Sequence, residues 1–323
     1  MYTTIVVPLD GSPFGEYALP FAVTLARALG STLELVHVHR PYEPGEALEA
    51  LPQYGFQGIV AYDVAADTEA LAQQREWLEA LAAGLASAHG LRVDAHLLAG
   101  PVVRALTEHL RDAGADLVVM STHGSGLSQH KRLGSVADAL VRHLAVPVMV
   151  LRPRSAAPPL AVPRRVLVPV DGSRFSESVL RPVVELARQF GAELTFFHVT
   201  TPPRAAEVPL QPFVHTAETP LAQPEAYLQS LADTLPAGMP PARLRVVAHE
   251  QAARAILDEL AGGDPPYDAV AMATHGQVGV HHLLLGSVAE EVLQHTDRPV
   301  LLFRPPLAAR PPAVEAPVAR PVH

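Results

Sequence analysis

The chain has 323 residues, 49% of them apolar and 18% charged, which excludes a disordered protein and leaves room for two domains with cores of their own. A net charge of −9 without a basic block argues against nucleic-acid binding, and the absence of cysteine excludes disulfides, thiolate nucleophiles and Cys-based zinc sites. No apolar run approaches ~20 residues, and the opening M-Y-T-T-I-V-V-P-L-D lacks a signal-peptide pattern, so the expectation is a cytoplasmic protein with no membrane partner.

Residues 2–9 are β-branched and apolar and predict a strand buried on both faces. Ser12 is placed to cap a helix with Pro13 at its first position, and Ala18, Ala22, Leu25, Ala26 and Leu29 share one helical face. Pro20 should kink the early turns, and Gly30 should end them. A second strand is expected over 32–39, an irregular stretch over 40–67, and a long helix over 69–89 with the single tryptophan, Trp77, as a core residue. Alternation predicts a strand at 91–98, then a helix from Gly100-Pro101 to about residue 111, a strand at 116–121, a helix at 136–144 and a strand at 146–151. Strand and helix alternate throughout, which is the pattern of a parallel sheet covered on both sides by helices.

Residues 153–163 are a Pro-rich linker, after which the pattern restarts: R-R-V-L-V-P-V-D-G-S repeats the opening of the chain. Asp10 and Asp171, Gly30 and Gly191, and His37-Val38 and His198-Val199 are each 161 residues apart; His123 and His275, and Gly134-Ser135 and Gly286-Ser287, are 152 apart. The chain is therefore a duplication, with domains expected at 1–152 and 164–304 and a disordered Pro-rich tail at 305–323.

In each repeat a strand runs into a loop and then a helix. The loops read S-T-H-G-S-G-L-S-Q-H-K-R-L-G-S-V from Ser121 and T-H-G-Q-V-G-V-H-H-L-L-L-G-S-V from Thr274. Neither is a Walker A loop nor a dinucleotide fingerprint. A helix start offers unpartnered N–H groups and a partial positive charge, so the arrangement suits an anion, with Gly124 and Gly134 open to unusual backbone angles and close approach. Ligands of open parallel sheets lie beyond the carboxyl ends of the strands, and every recurring polar position falls at such an end. A nucleotide fits: a carboxylate (Asp10, Asp171) for ribose hydroxyls, strand-two backbone at Val38 and Val199 for a base, loop amides for phosphates.

On these residues, V-V-P-L-D-G-S, V-L-V-P-V-D-G-S, the strand-two H-V pairs and the T-H-G…G-S-V loops, the chain resembles a tandem universal stress protein. The resemblance implies an α/β fold of two Rossmann-like, adenine-nucleotide alpha-hydrolase-like domains, each a five-stranded parallel sheet in order 3-2-1-4-5 flanked by helices. It implies ATP or another adenine nucleotide, with Mg²⁺ carried on the phosphates. In the first repeat the ligand would lie against Pro8, Asp10, Ser12, Val38, Gly100, Ser121, His123, Gly124, Gly134, Ser135 and Val136. In the second it would lie against Pro169, Asp171, Ser173, Val199, Ala273, His275, Gly276, Gly286, Ser287 and Val288. The last strands of the two domains should pair, giving an intramolecular pseudo-dimer or a homodimer.

The chain departs from the family's G-x-x-G-x9-G-S/T pattern at its first glycine, which is Ser121 in one copy and Ala273 in the other; a left-handed backbone there would cost about 1 kcal/mol. The second repeat has His249-Glu250-Gln251 in place of Gly100-Pro101. His123 and His275 read as loop residues bonding backbone or phosphate, and His281-His282 as a solvated face, so no metal ligands are assigned. Lys131 and Arg132 are within reach of a triphosphate, but the second copy has His282 and Leu283 there. With no residue to name as a base, the expected function is regulatory nucleotide binding in the stress response, with at most weak ATPase activity. The alternative is a protein-interaction module of the same fold that binds no nucleotide.

Overall fold

The computed structural model describes residues 2–40, 64–122, 133–153, 158–201, 223–274 and 285–304. The middle of the linker, the Pro-rich stretch from 202 to 222 and the tail from 305 lie outside the described residues.

The first half runs β1 (Thr4–Leu9), α1 (Pro13–Glu16), α2 (Leu19–Leu29), β2 (Thr32–His39), α3 (Val64–His89), β3 (Val93–Ala99), α4 (Val102–Asp112), β4 (Leu117–Ser121), α5 (Ser135–His143) and β5 (Val148–Leu151). The second runs β6 (Arg165–Pro169), α6 (Arg174–Glu177), α7 (Leu180–Phe190), β7 (Glu193–Thr200), α8 (Pro224–Ala232), β8 (Arg243–Ala248), α9 (Ala252–Gly262), β9 (Ala269–Ala273), α10 (Ser287–His295) and β10 (Val300–Phe303).

The single first helix expected from the sequence is two. Pro20 has no N–H to give to Glu16 and sits instead in the first turn of α2, so the chain breaks at Tyr17-Ala18. Strand β5 starts at Val148 because Pro147 can only accept, taking Val118 N–H on its carbonyl at 3.0 Å.

Each half forms a parallel sheet in the order 3-2-1-4-5, and the two join into one ten-stranded sheet, β3-β2-β1-β4-β5-β10-β9-β6-β7-β8. The junction is antiparallel, with Val300 opposite Val150 and Leu302 opposite Val148. Two cores follow, one per face. Phe21 and Leu25 of α2, Leu78 of α3, Leu186 and Phe190 of α7 and Leu228 of α8 cover one face. Leu106 and Leu110 of α4, Leu140 of α5, Ile256 of α9 and Val292 of α10 cover the other. Each fully buried side chain of this size contributes about 1.5–3 kcal/mol. Both cores run through both halves, and the buried Tyr2 donates its hydroxyl to the Pro182 carbonyl of α7 at 2.9 Å.

The amino end of each β1-type strand is held by an aspartate from the turn before the fourth strand. Asp116 Oδ2 accepts from Thr3 N (2.7 Å), Thr3 Oγ1 (2.7 Å) and Thr4 N (3.1 Å). Asp268 Oδ2, 152 residues later, accepts from Arg164 N (2.8 Å) and Arg165 N (2.9 Å). Sequence reasoning assigned neither residue, although their spacing is that of the loops.

Candidate functional site

The strand order reverses between β1 and β4 in the first half and between β6 and β9 in the second, and Asp10, Ser121, Asp171 and Ala273 stand at the carboxyl ends of those strands. The register pairs Ile5 with Leu117 and Leu9 with His37, so Leu9-Asp10 lies between the ends of β2 and β4. Neighbouring strands are about 4.8 Å apart, which puts Val38 and Ser121 roughly 10 Å from each other on either side of β1.

Asp10 leaves β1 into a tight turn at Gly11, whose φ of +78° requires glycine, as does φ +87° at Gly172. Asp10 Oδ1 accepts from both Ser12 N (3.0 Å) and Ser12 Oγ (2.7 Å), and Ser12 Oγ accepts from Gly15 N (3.1 Å), capping α1. The carboxylate is thereby fixed against the helix start. In the second half Asp171 Oδ1 accepts from Ser173 N (2.9 Å) and Ser173 Oγ from Ser176 N (3.1 Å). Ser176 stands where the first half has Gly15, and a Cβ on Gly15 would lie 3.4 Å from Asp10 Cγ and closer still to its Oδ1. The two carboxylates are therefore packed differently.

Beneath each aspartate lies a histidine clamp that sequence reasoning saw only as a recurring pair. His37 Nδ1 donates to the Leu9 carbonyl (2.8 Å) and His198 Nδ1 to the Val170 carbonyl (2.8 Å), both rings buried. A carbonyl only accepts, so Nδ1 carries the proton in both. Trp77 is half-buried and meets the His37 ring edge-on (centroids 5.6 Å apart), so it is a buttress of the clamp as well as a core residue; Tyr227 does the same for His198 at 6.1 Å. Tyr227 donates to Glu177 Oε1 (3.0 Å), and burial, then Glu177, push its hydroxyl above the ordinary range.

Ser121 and Ala273 end β4 and β9 and are buried. Both are extended, so the left-handed backbone weighed against them does not arise. The residues flanking the two loops are joined directly: Gly134 N–H donates to Thr122 O (2.8 Å) and Gly286 N–H to Thr274 O (2.7 Å). Gly134 and Gly286 then precede α5 and α10 with φ of −59° and −58°, angles open to any residue. This corrects the expectation of an unusual backbone at Gly134; what glycine offers there is the missing side chain. Among the described residues no side chain caps either helix, and Ser135 and Ser287 stand at the helix starts, Ser135 exposed and Ser287 exposed. Val136 and Val288 pack against the core, leaving only their backbone to face a ligand. His123, Gly124, Lys131, Arg132, His275, Gly276 and His281-His282 lie outside the described residues.

Pro8 is half-buried and Pro169 buried within their strands, and Val38 and Val199 pack toward the same face as α4 and α9. Gly100, at φ +114°, donates its N–H to His39 O (3.1 Å), tying the end of β3 to β2. Its counterpart His249 donates to Thr200 O (2.9 Å) and carries a ring into the second half's rim, where Ala248, His249, Glu250, Gln251 and Arg254 line an open cleft of ≈ 660 Å³. None of the described helices is long and apolar enough to cross a membrane.

The model of the universal stress protein family matches residues 1–152 and 163–304. A universal stress protein of Mycobacterium tuberculosis is 28% identical over 310 residues, spanning 93% of this chain and 96% of the relative. Another from that species is 29% identical over 327 residues, spanning 97% of each. Among solved structures, a universal stress protein from Archaeoglobus fulgidus superposes with a TM-score of 0.67 at 17% identity, covering 94% of this chain and 99% of that one.

Proposed function

The chain belongs to the universal stress protein family, and from that premise we propose that each repeat, 1–152 and 164–304, holds an adenine nucleotide, ATP, at the carboxyl edge of its sheet. The observation that carries this reading is the convergence, in both halves, of a fixed carboxylate, a strand-two backbone edge and a helix start. That start has no side-chain cap among the described residues and is tied to the end of the fourth strand by the Gly134 and Gly286 N–H groups. Asp10 and Asp171 would take ribose hydroxyls, Val38 and Val199 the base, and the amides at 134–136 and 286–288 the phosphates, with Mg²⁺ carried on the phosphate oxygens. Binding would order the loops and make the protein a regulator responsive to nucleotide level. The β5–β10 junction supports the reading of the two repeats as an intramolecular pair.

Calorimetric titration of nucleotide-free protein with ATP–Mg²⁺ tests this, with a stoichiometry of two expected. Gly134→Val is compatible with the backbone at φ −59° and should fold, while its side chain blocks phosphate approach and removes one site. Absence of binding, with no nucleotide carried through purification, overturns the proposal.

A second reading, an interaction module, is favoured by one observation. Phe14 and Phe175, equivalent residues beside the two aspartate turns, are 49% and 48% exposed. A partner captured equally with and without nucleotide, and lost on Phe14→Ser with Phe175→Ser, would favour it.

A further inference from the structure

Outside the nucleotide edge, three side chains from three elements converge on the face of the sheet covered by α4. Glu34 of β2, His96 of β3 and His109 of α4 present one carboxylate oxygen and two imidazole nitrogens within 4.8 Å of one another. Glu34 Oε2 lies 2.9 Å from His109 Nε2 and 3.9 Å from His96 Nε2. The two rings are 4.7 Å apart and tilted by 49°, converging rather than stacked. His96 Nε2 is buried and makes no hydrogen bond among the described residues, and it points at the Glu34 oxygen that His109 already engages. Sequence reasoning weighed metal ligands only at His123, His275 and His281-His282, and these three are 62 and 13 residues apart along the chain.

We propose that Glu34, His96 and His109 form a site for a divalent transition-metal ion of the Zn²⁺ type. Two neutral imidazoles and a carboxylate are a borderline N/N/O donor set, which suits Zn²⁺ and its neighbours and not Mg²⁺ or Ca²⁺. Tetrahedral Zn²⁺ with bonds of about 2.0–2.2 Å separates its ligand atoms by roughly 3.3–3.5 Å. The two distances from Glu34 Oε2, 2.9 and 3.9 Å, bracket that spacing, and the two imidazole nitrogens lie within 4.8 Å of each other, so rotation of the side chains brings the three donors to it. Glu34 and His109 are largely buried and the His96 side chain is 38% exposed with its Nε2 buried, so a water as fourth ligand would enter past the His96 ring. The ion would tie α4 to the edge strand β3.

The second half has replaced the site. Arg245, at the register position of His96, pairs with Glu259, seven residues into α9 as His109 is into α4, at 3.4 Å; Thr195 stands in place of Glu34 and Tyr267 donates to Glu259 at 3.0 Å. The corresponding place is closed by fixed charges and a hydroxyl, so the expected stoichiometry is one ion per chain.

The test is titration of the full-length, chelator-stripped, nucleotide-free protein with Zn²⁺ against a chromophoric chelator, with Co²⁺ as a spectroscopic probe. One high-affinity equivalent and the visible bands of four-coordinate Co²⁺ are expected. His96→Ala should weaken that equivalent by more than the roughly 10–100-fold typical of losing an outer-shell partner. It should leave the fold intact because His96 Nε2 has no hydrogen-bond partner among the described residues and the backbone pairing of β3 with β2 is kept. Glu34→Gln and His109→Ala should do the same, and ATP titration of His96→Ala should match the parent. If the parent binds no Zn²⁺, or if His96→Ala keeps the same equivalent and the same Co²⁺ spectrum, the site does not exist.

Discussion

Gly15→Ala is the substitution that most directly probes how the first-half carboxylate is held. Gly15 lies in the short helix α1 with its Cα facing Asp10; a methyl group there would meet Asp10 Oδ1 well inside van der Waals contact and lie 3.4 Å from Asp10 Cγ. The oxygen must retreat by about 1 Å to reach a normal separation. The Ser12 Oγ bond to it, 2.7 Å long, then stretches past hydrogen-bonding range, and the Ser12 N bond at 3.0 Å is bent. A hydrogen bond to a charged group contributes about 1.5–3 kcal/mol, and because Asp10 is exposed its carboxylate regains water, which places the loss near the low end. Alanine in a helical position gives back about 0.5–1 kcal/mol. The net destabilisation is therefore small, about 1 kcal/mol. Ligand binding should change more, since the carboxylate is no longer aimed by Ser12. ATP affinity at one site should fall by about 1–3 kcal/mol, while the second site, built with Ser176 at that position, is unchanged. Urea unfolding measures the first quantity and calorimetry the second. Unaltered affinity at both sites, with stability unaltered as well, would refute the claim that Gly15 sets the carboxylate.

Asp10→Ala should itself weaken ATP by about 1–3 kcal/mol in the same titration, and an effect no greater than that of removing an exposed aspartate such as Asp112 would remove the ribose role. Asp116→Ala frees two backbone N–H groups and one hydroxyl at the start of β1; a loss of about 1.5–3 kcal/mol is expected by urea unfolding, without change in ATP affinity. Tyr2→Phe removes the hydroxyl donated to Pro182 and should cost about 1 kcal/mol near neutral pH. Burial raises the Tyr2 hydroxyl above its ordinary value, so its contribution is complete below the unfolded pKa of about 10 and declines above it. Stability of the parent should thus fall faster above pH ~10 than that of Tyr2→Phe, as followed by alkaline unfolding.

Much of the architecture was legible along the chain because its signals are local. The period of apolar residues marked nine of the ten elements of the first half, and the tenth arose where Pro20 divided one expected helix into α1 and α2. The 161- and 152-residue spacings identified the duplication, and Ser12, Gly30 and the G-S-V helix starts ended or began elements where expected. The ordinary backbone at Ser121, Ala273 and Gly134 was not legible in the sequence, because a motif states residue types and not the dihedral angles that neighbouring strands impose.

The sequence by itself determined the alternation of strands and helices in the first half, apart from the division of the first helix, and that there are two copies, since these follow from short-range sterics, periodicity and caps. The helix α8, in a Pro-rich stretch that reads as loop, was not among them. Tertiary structure alone decided the His37 and His198 clamps, the Asp116 and Asp268 anchors, the closeness of Gly15 to Asp10 and the meeting of Glu34, His96 and His109. Each of these depends on strand register and on how a helix lies across a sheet, where a shift of one residue turns every side chain to the opposite face.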